Sequence, residues 1–263
     1  MAANAVSMRN NFSETWLSLQ FELLKHLKRR RLLILVALAV LLPLFPLISR
    51  PDTAVEFAGS SLNFISVLIV ISAAMFAGDS VCGEFEKKTS LLLFPTPQNR
   101  ASIFGGKYLA ALLCTLLVVA LWYVVLTLEI GPLYGWREMP ADLWKSFATA
   151  LIFSTAAVGV AFLVSSFFKR SISATILVFL VLMMIMPIGA MIMTMLDTEP
   201  WFILTYSANL ITSVLGVSNR LPMGHGDVGQ QFTPTLGTGI AVMVTYAVAC
   251  VAAGMAIAVR KED

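Results

Sequence analysis

The chain has 263 residues, of which 58% are hydrophobic and 13% charged, and its formal net charge is +3. Soluble domains spend about a quarter of their residues on charge, so this composition excludes an ordinary soluble domain and points to a membrane protein. A surplus of three positive charges is too small to imply a nucleic-acid partner. The three cysteines, Cys82, Cys114 and Cys250, are widely spaced and have neither a disulfide framework nor a metal-ligand spacing.

The first predicted element lies within "NFSETWLSLQFELLKHLKRRR". Phe12, Trp16, Leu19, Leu23 and Leu27 recur at helical spacing, Ser13 offers an N-cap, and cations gather at the end. This predicts an amphipathic helix over 11–31, lying in a headgroup layer and anchored by Trp16, Lys25, Lys28, Arg29, Arg30 and Arg31, with membrane lipid as its partner. His26, among the cations, reads as a surface residue.

A membrane-crossing helix needs roughly 20 apolar residues. Six stretches meet this requirement, at about 32–49, 57–77, 108–128, 146–168, 173–196 and 238–259, and none contains Asp, Glu, Lys or Arg. Pro43 and Pro46 should break the first near its end. That stretch is too long for a cleaved signal sequence and ends in "PLFPLISRP", so it reads as a retained helix.

With the N-terminus cytoplasmic, 14 Lys and Arg residues fall on the inner side and four (Arg50, Arg137, Lys145, Arg220) on the outer. The charge rule for membrane loops therefore predicts a multi-pass protein of the cell membrane with both termini cytoplasmic. The chain reads as one transmembrane domain, with a cytoplasmic segment at 79–107 and an external loop at 197–237. Within that loop, "WFILTYSANLITSVLGV" (201–217) is too short and too rich in Ser, Thr and Asn for a seventh span. It is predicted to re-enter the membrane, buried against protein. His225 and Asp227 follow but lack a third convergent metal ligand.

Chemistry is hard to find. The GGK at Gly105–Lys107 is no phosphate-binding loop, because Ala101 stands where the first Gly belongs and Tyr108 follows the Lys. Lys107 reads instead as a cation snorkelling to the interface. No catalytic pair and no metal site is visible, and the spans offer only weak polar groups such as Asn63, Ser66 and Thr127. Asn63 and Ser66 are the candidates for a substrate path. A path lined by Phe, Met and Ser suits an amphipathic or lipid-like solute. Ala249 with Ala253, and Cys250 with Gly254, permit close helix packing.

The 79–107 segment begins with charges, repeats leucine, and is closed by Pro95 and Pro97, after which Asn99 or Ser102 can cap the next helix. It offers Glu84, Glu86, Lys87 and Lys88 to a soluble partner. Its residues Gly83, Glu84, Phe85, Glu86, Thr89, Leu92, Leu93, Pro97, Arg100, Gly106 and Lys107 resemble a pattern carried by permeases of the ATP-binding-cassette type-two family. The fold this resemblance implies is an all-α membrane protein with six transmembrane helices, an N-terminal interfacial helix, a cytoplasmic coupling helix and a re-entrant segment before the last span.

The resemblance further implies that two such permeases, identical or related, work with two ABC-type ATPase subunits that hold the ATP and Mg; this chain needs no cofactor of its own. Export would be the usual direction. The ATPase contacts would be Glu84, Phe85, Glu86, Lys87, Lys88, Thr89 and Arg100, with a second contact at Lys169 and Arg170. The competing readings are a membrane scaffold or sensor that moves nothing, and an ion-coupled carrier.

Overall fold

The computed structural model describes residues 2–28, 30–49, 51–86, 99–216 and 232–260, and among these every regular element is helical. Among the described residues six helices are long and apolar enough to cross a membrane. They are α2 (Arg30–Ile48), α3 (Ala54–Phe76), α5 (Arg100–Tyr134), α6 (Leu143–Phe167), α7 (Ser171–Met195) and α10 (Leu236–Arg260). Before them runs α1 (Ala2–Lys28), and between them lie the short α4 (Cys82–Glu86), α8 (Leu204–Ser207) and α9 (Leu210–Ser213).

Two boundaries differ from the sequence reading. α1 starts at Ala2, well ahead of Ser13, because the alanines at 2, 3 and 5 favour helix and nothing before Ser13 stops it. α5 starts at Arg100, where the Asn99 side chain accepts the Ala101 N–H at 3.1 Å, so Gly105–Lys107 belongs to a helix and not to a loop. α5 runs for 35 residues, roughly 50 Å, which exceeds the hydrocarbon thickness of a bilayer by some 20 Å. It ends at Gly135, whose φ of 94° suits only a residue without a Cβ.

The breaks inside the long helices have identifiable causes. α2 gives way to a turn over 42–45, between Leu41 and Pro46 and containing Pro43. α7 contains a π turn at Val181–Ile185, just before Pro187, whose ring brings no N–H to the ladder. There the Met186 N–H bonds back to the Val181 carbonyl.

The core is built by α3, α5 and α6 around Trp122, Phe57, Phe153, Leu126, Leu68 and Ile69, all essentially removed from solvent. α10 lies against α6, and Gly254 permits the approach: a Cβ there would meet the Phe162 ring at 2.8 Å. The Cys250–Gly254 face therefore packs within the chain, whereas Ala249 and Ala253 face outward. Burial reaches 61% of the most apolar window in α3 and α6 but only 11% in α7 and α10, which leaves two broad apolar faces uncovered.

α8 and α9 are single turns tucked onto the bundle. Leu204, Tyr206, Leu210 and Ile211 are buried, and the Ile211 carbonyl accepts from Ser146 Oγ at 2.6 Å, itself in contact with the Tyr123 hydroxyl at 2.7 Å. His225 and Asp227 lie outside the described residues.

Candidate functional site

Charged side chains converge where α1 crosses the start of α5. On α1, Glu22, Lys25 and His26 are three and four residues apart and so share one face. The helices approach closely because residue 106 is Gly: a Cβ at that position would lie 2.6 Å from Ser18 Cβ and 2.9 Å from the Leu19 nitrogen. Lys107 follows at once, and its ammonium meets both Glu22 and, at 2.7 Å, Glu84 Oε1. Lys25 binds the same two carboxylates at 3.0 and 3.5 Å.

Lys107 is only 4% exposed, and two carboxylates replace the water its ammonium has lost. For Glu22, burial alone would raise the carboxyl. The Lys107 and Lys25 cations, and the hydrogen bonds they donate, outweigh that effect and hold it below the usual carboxylate range. His26 is buried beside them with its ring edge-on to Phe76 at 5.2 Å.

The chain leaving α3 closes the cluster. Asp79 accepts from Arg31 of α2 at 2.9 Å. The Val81 and Cys82 N–H groups, which the start of α4 leaves without helical acceptors, both donate to Ser165 Oγ of α6, at 3.1 and 3.2 Å. Glu86 Oε2 accepts the Ser171 N–H at 2.7 Å and so places a carboxylate on the first residue of α7, where the helix dipole favours a negative charge. A cavity of about 530 Å³ opens among these groups.

The far side of the 87–98 interval is tied down as well. The Asn99 N–H donates to Glu14 of α1 at 3.1 Å, and Arg100 Nη1 donates to the Val259 carbonyl of α10 at 3.4 Å. Both ends of that interval are therefore anchored into the body of the protein. Among the described residues no three His, Cys, Asp or Glu side chains converge as a metal site would require.

Residues 30–263 match a family described as "Protein of unknown function (DUF2705)". The chain belongs to the DUF2705 family. A search of curated proteins returned no match. The matched DUF2705 region takes in all six long helices and both ends of the 87–98 interval, while α1, with Glu22 and Lys25, lies ahead of it.

Three sequence readings of this DUF2705 chain are corrected. Lys107 does not snorkel, because Glu22 and Glu84 hold its ammonium inside the protein. Glu84 is not offered outward: its side chain is 12% exposed and spent on Lys107 and Lys25. His26 is not a surface residue, since it packs on Phe76.

Glu86 is exposed, yet it caps α7. Arg100 is half-buried against α10, and Lys169 and Arg170 are exposed. Trp16, Lys28 and Arg30 are exposed, whereas Arg31 is engaged with Asp79. Arg29, Lys87, Lys88 and Thr89 lie outside the described residues, as does the side chain of Phe85. Asn63 and Ser66 are far from the cluster, on the wall of a second cavity. Sequence reasoning missed Glu22 and Ser165, because each acts on a partner more than 80 residues away.

Proposed function

We propose that this chain is the membrane-embedded permease subunit of an ATP-driven exporter, coupled to a separate ABC-type ATPase through the 83–100 segment. Two copies of the chain, or two related chains, would work with two ATPase subunits carrying ATP and Mg, in the cell membrane, with both termini cytoplasmic. One observation carries the reading. The two ends of the 87–98 interval are bonded to α1 and to every long helix: Asp79 to α2 and, through the chain, α3; Glu84 to α5; Val81 and Cys82 to α6; Glu86 to α7; and Arg100 to α10. A partner that pushes on this interval would move the whole bundle at once, which is what coupling to an external engine requires.

Other features agree. The excess of Lys and Arg on the side of the cluster favours a cytoplasmic placement. On α1, Leu17, Phe21 and Leu24 form an outward apolar stripe at helical spacing beside Trp16, suited to the headgroup boundary. α8 and α9 act as a re-entrant element, too short to cross and buried against α6 and α10. The uncovered faces of α7 and α10 leave room for lipid and for a second copy.

The corrected role of Glu84 shapes the test. Lys87→Glu with Lys88→Glu should abolish co-purification of an ATPase from the native membrane, with the thermal unfolding midpoint measured alongside to separate lost docking from lost folding. Glu84→Gln should leave the ATPase bound but reduce its hydrolysis. A chain that purifies from native membranes with no ATPase sinks the proposal and favours the scaffold reading. Transport that stops when the proton or sodium gradient is collapsed, while ATP persists, favours the carrier.

A further inference from the structure

A second cavity, of about 550 Å³, lies between α3, α7 and the α8–α9 pair, in the half of the bundle away from the ion pairs. Its volume is that of a site for a small organic molecule. Among the described residues its lining contains no Asp, Glu, Lys, Arg or His, and the charged group bonded to that wall is Glu199, which accepts from the Tyr206 hydroxyl at 3.2 Å.

The polar groups on its wall are amides and hydroxyls. Among the described residues, the side chains of Asn63, Ser66 and Asn209 make no hydrogen bond, and Thr205 Oγ1 is shut off from solvent with none. Asn63 and Asn209 are exposed and Ser66 half-buried, so their amides and hydroxyl are open to a guest that supplies donors and acceptors, while the buried Thr205 hydroxyl is costly to leave unmet. The remaining wall is apolar and pliable, with Val67, Leu182, Met183 and Met191.

The wall formed by α7 is also irregular. Pro187 lines the cavity one turn beyond Met183, and its missing N–H takes away the usual helical donor for the Met183 carbonyl. The π turn at Val181–Ile185 occupies the same stretch, and such turns recur at functional sites.

An anionic headgroup would lose its water here, meet no Lys, Arg or His among the described lining residues, and have the Glu199 carboxylate behind Tyr206. We infer that this cavity binds an uncharged amphipathic molecule of the neutral-glyceride class, its hydroxyl and ester groups at Asn63, Ser66 and Asn209 and its chain along Met183 and Met191. As a cargo site it rests on the transporter reading; as a binding site it does not.

The test uses the full chain in detergent micelles, a diazirine-bearing diacylglycerol as probe, and peptide mapping after illumination. Saturable labelling on α7 or the α8–α9 pair is expected. Unlabelled diacylglycerol should compete at least 10-fold better than phosphatidic acid with the same chains. Ala190→Trp, which fills the cavity, should abolish the labelling, and Asn63→Leu should weaken it about 10-fold. Should Ala190→Trp fail to fold, Asn63→Leu at an unchanged unfolding midpoint decides. Labelling spread over the outward face of α10, labelling indifferent to Asn63→Leu, or equal competition by phosphatidic acid overturns the inference. Loss of ATPase co-purification with labelling intact would overturn the transporter reading alone.

Discussion

An ammonium group gives up several kcal/mol of hydration when it enters a protein interior, and Lys107 recovers it only because two carboxylates stand within reach. Lys107→Met keeps the volume and removes the charge, leaving Glu22 and Glu84 to share the half-exposed Lys25. We expect a loss of about 3 kcal/mol, read as a lower thermal unfolding midpoint in detergent, with partial recovery when Glu22→Gln is added. The pH dependence follows from the same contacts. Glu22 is held below its ordinary value of 4.5, so its paired form stabilises the native state above that value, and the contribution is lost as pH falls through the lowered native value. A midpoint that declines on the acid side of pH 4.5, and declines less in Glu22→Gln, is the expected outcome. An identical decline in both proteins would show that Glu22 does not contribute.

The crossing of α1 over α5 depends on the difference between two adjacent glycines. At Gly105 an added Cβ would lie 3.5 Å from the flexible end of Met255, an ordinary contact. At Gly106 it would strike the backbone of α1 at 2.9 Å, and backbone cannot swing aside. Gly106→Ala should therefore cost about 1–3 kcal/mol through forced separation of the helices, while Gly105→Ala should be neutral or mildly stabilising. Unfolding midpoints of the two variants compare them directly, and equal effects would refute the crossing argument. The six long helices could be read from sequence because a run of about 20 apolar residues has few alternatives to crossing a membrane. The register of α1 on α5 could not. Nothing in "GGK" says which glycine faces a neighbour, and the amphipathic pattern of α1 underdetermined its packing: Leu19 and Leu23 turn inward, while Leu17, Phe21 and Leu24 turn outward.

Taken together, the long helices form a closely packed centre of α3, α5 and α6 with α7 and α10 on its flank, joined at one end by hydrogen bonds and ion pairs that no single segment contains. Glu84 shows why this end resisted prediction. Its charge and its place between two spans made it look like a docking residue, whereas its partners Lys107 and Lys25 lie 23 and 59 residues away, and only the fold decides that it faces them. Asn63 and Ser66 could be picked out as polar groups within an apolar run. Their shared cavity required the return of α8 and α9, which composition alone does not position. The ion-pair cluster has one more property. Among the described residues the ion pairs given above join Glu22, Asp79 and Glu84 to Lys25, Arg31 and Lys107, three anions and three cations. A membrane potential of 100 mV does about 2.3 kcal/mol of work on each unit charge carried across it. A balanced set moving as one body carries none, so an energised membrane neither drives nor resists a rigid tilt of these six side chains together.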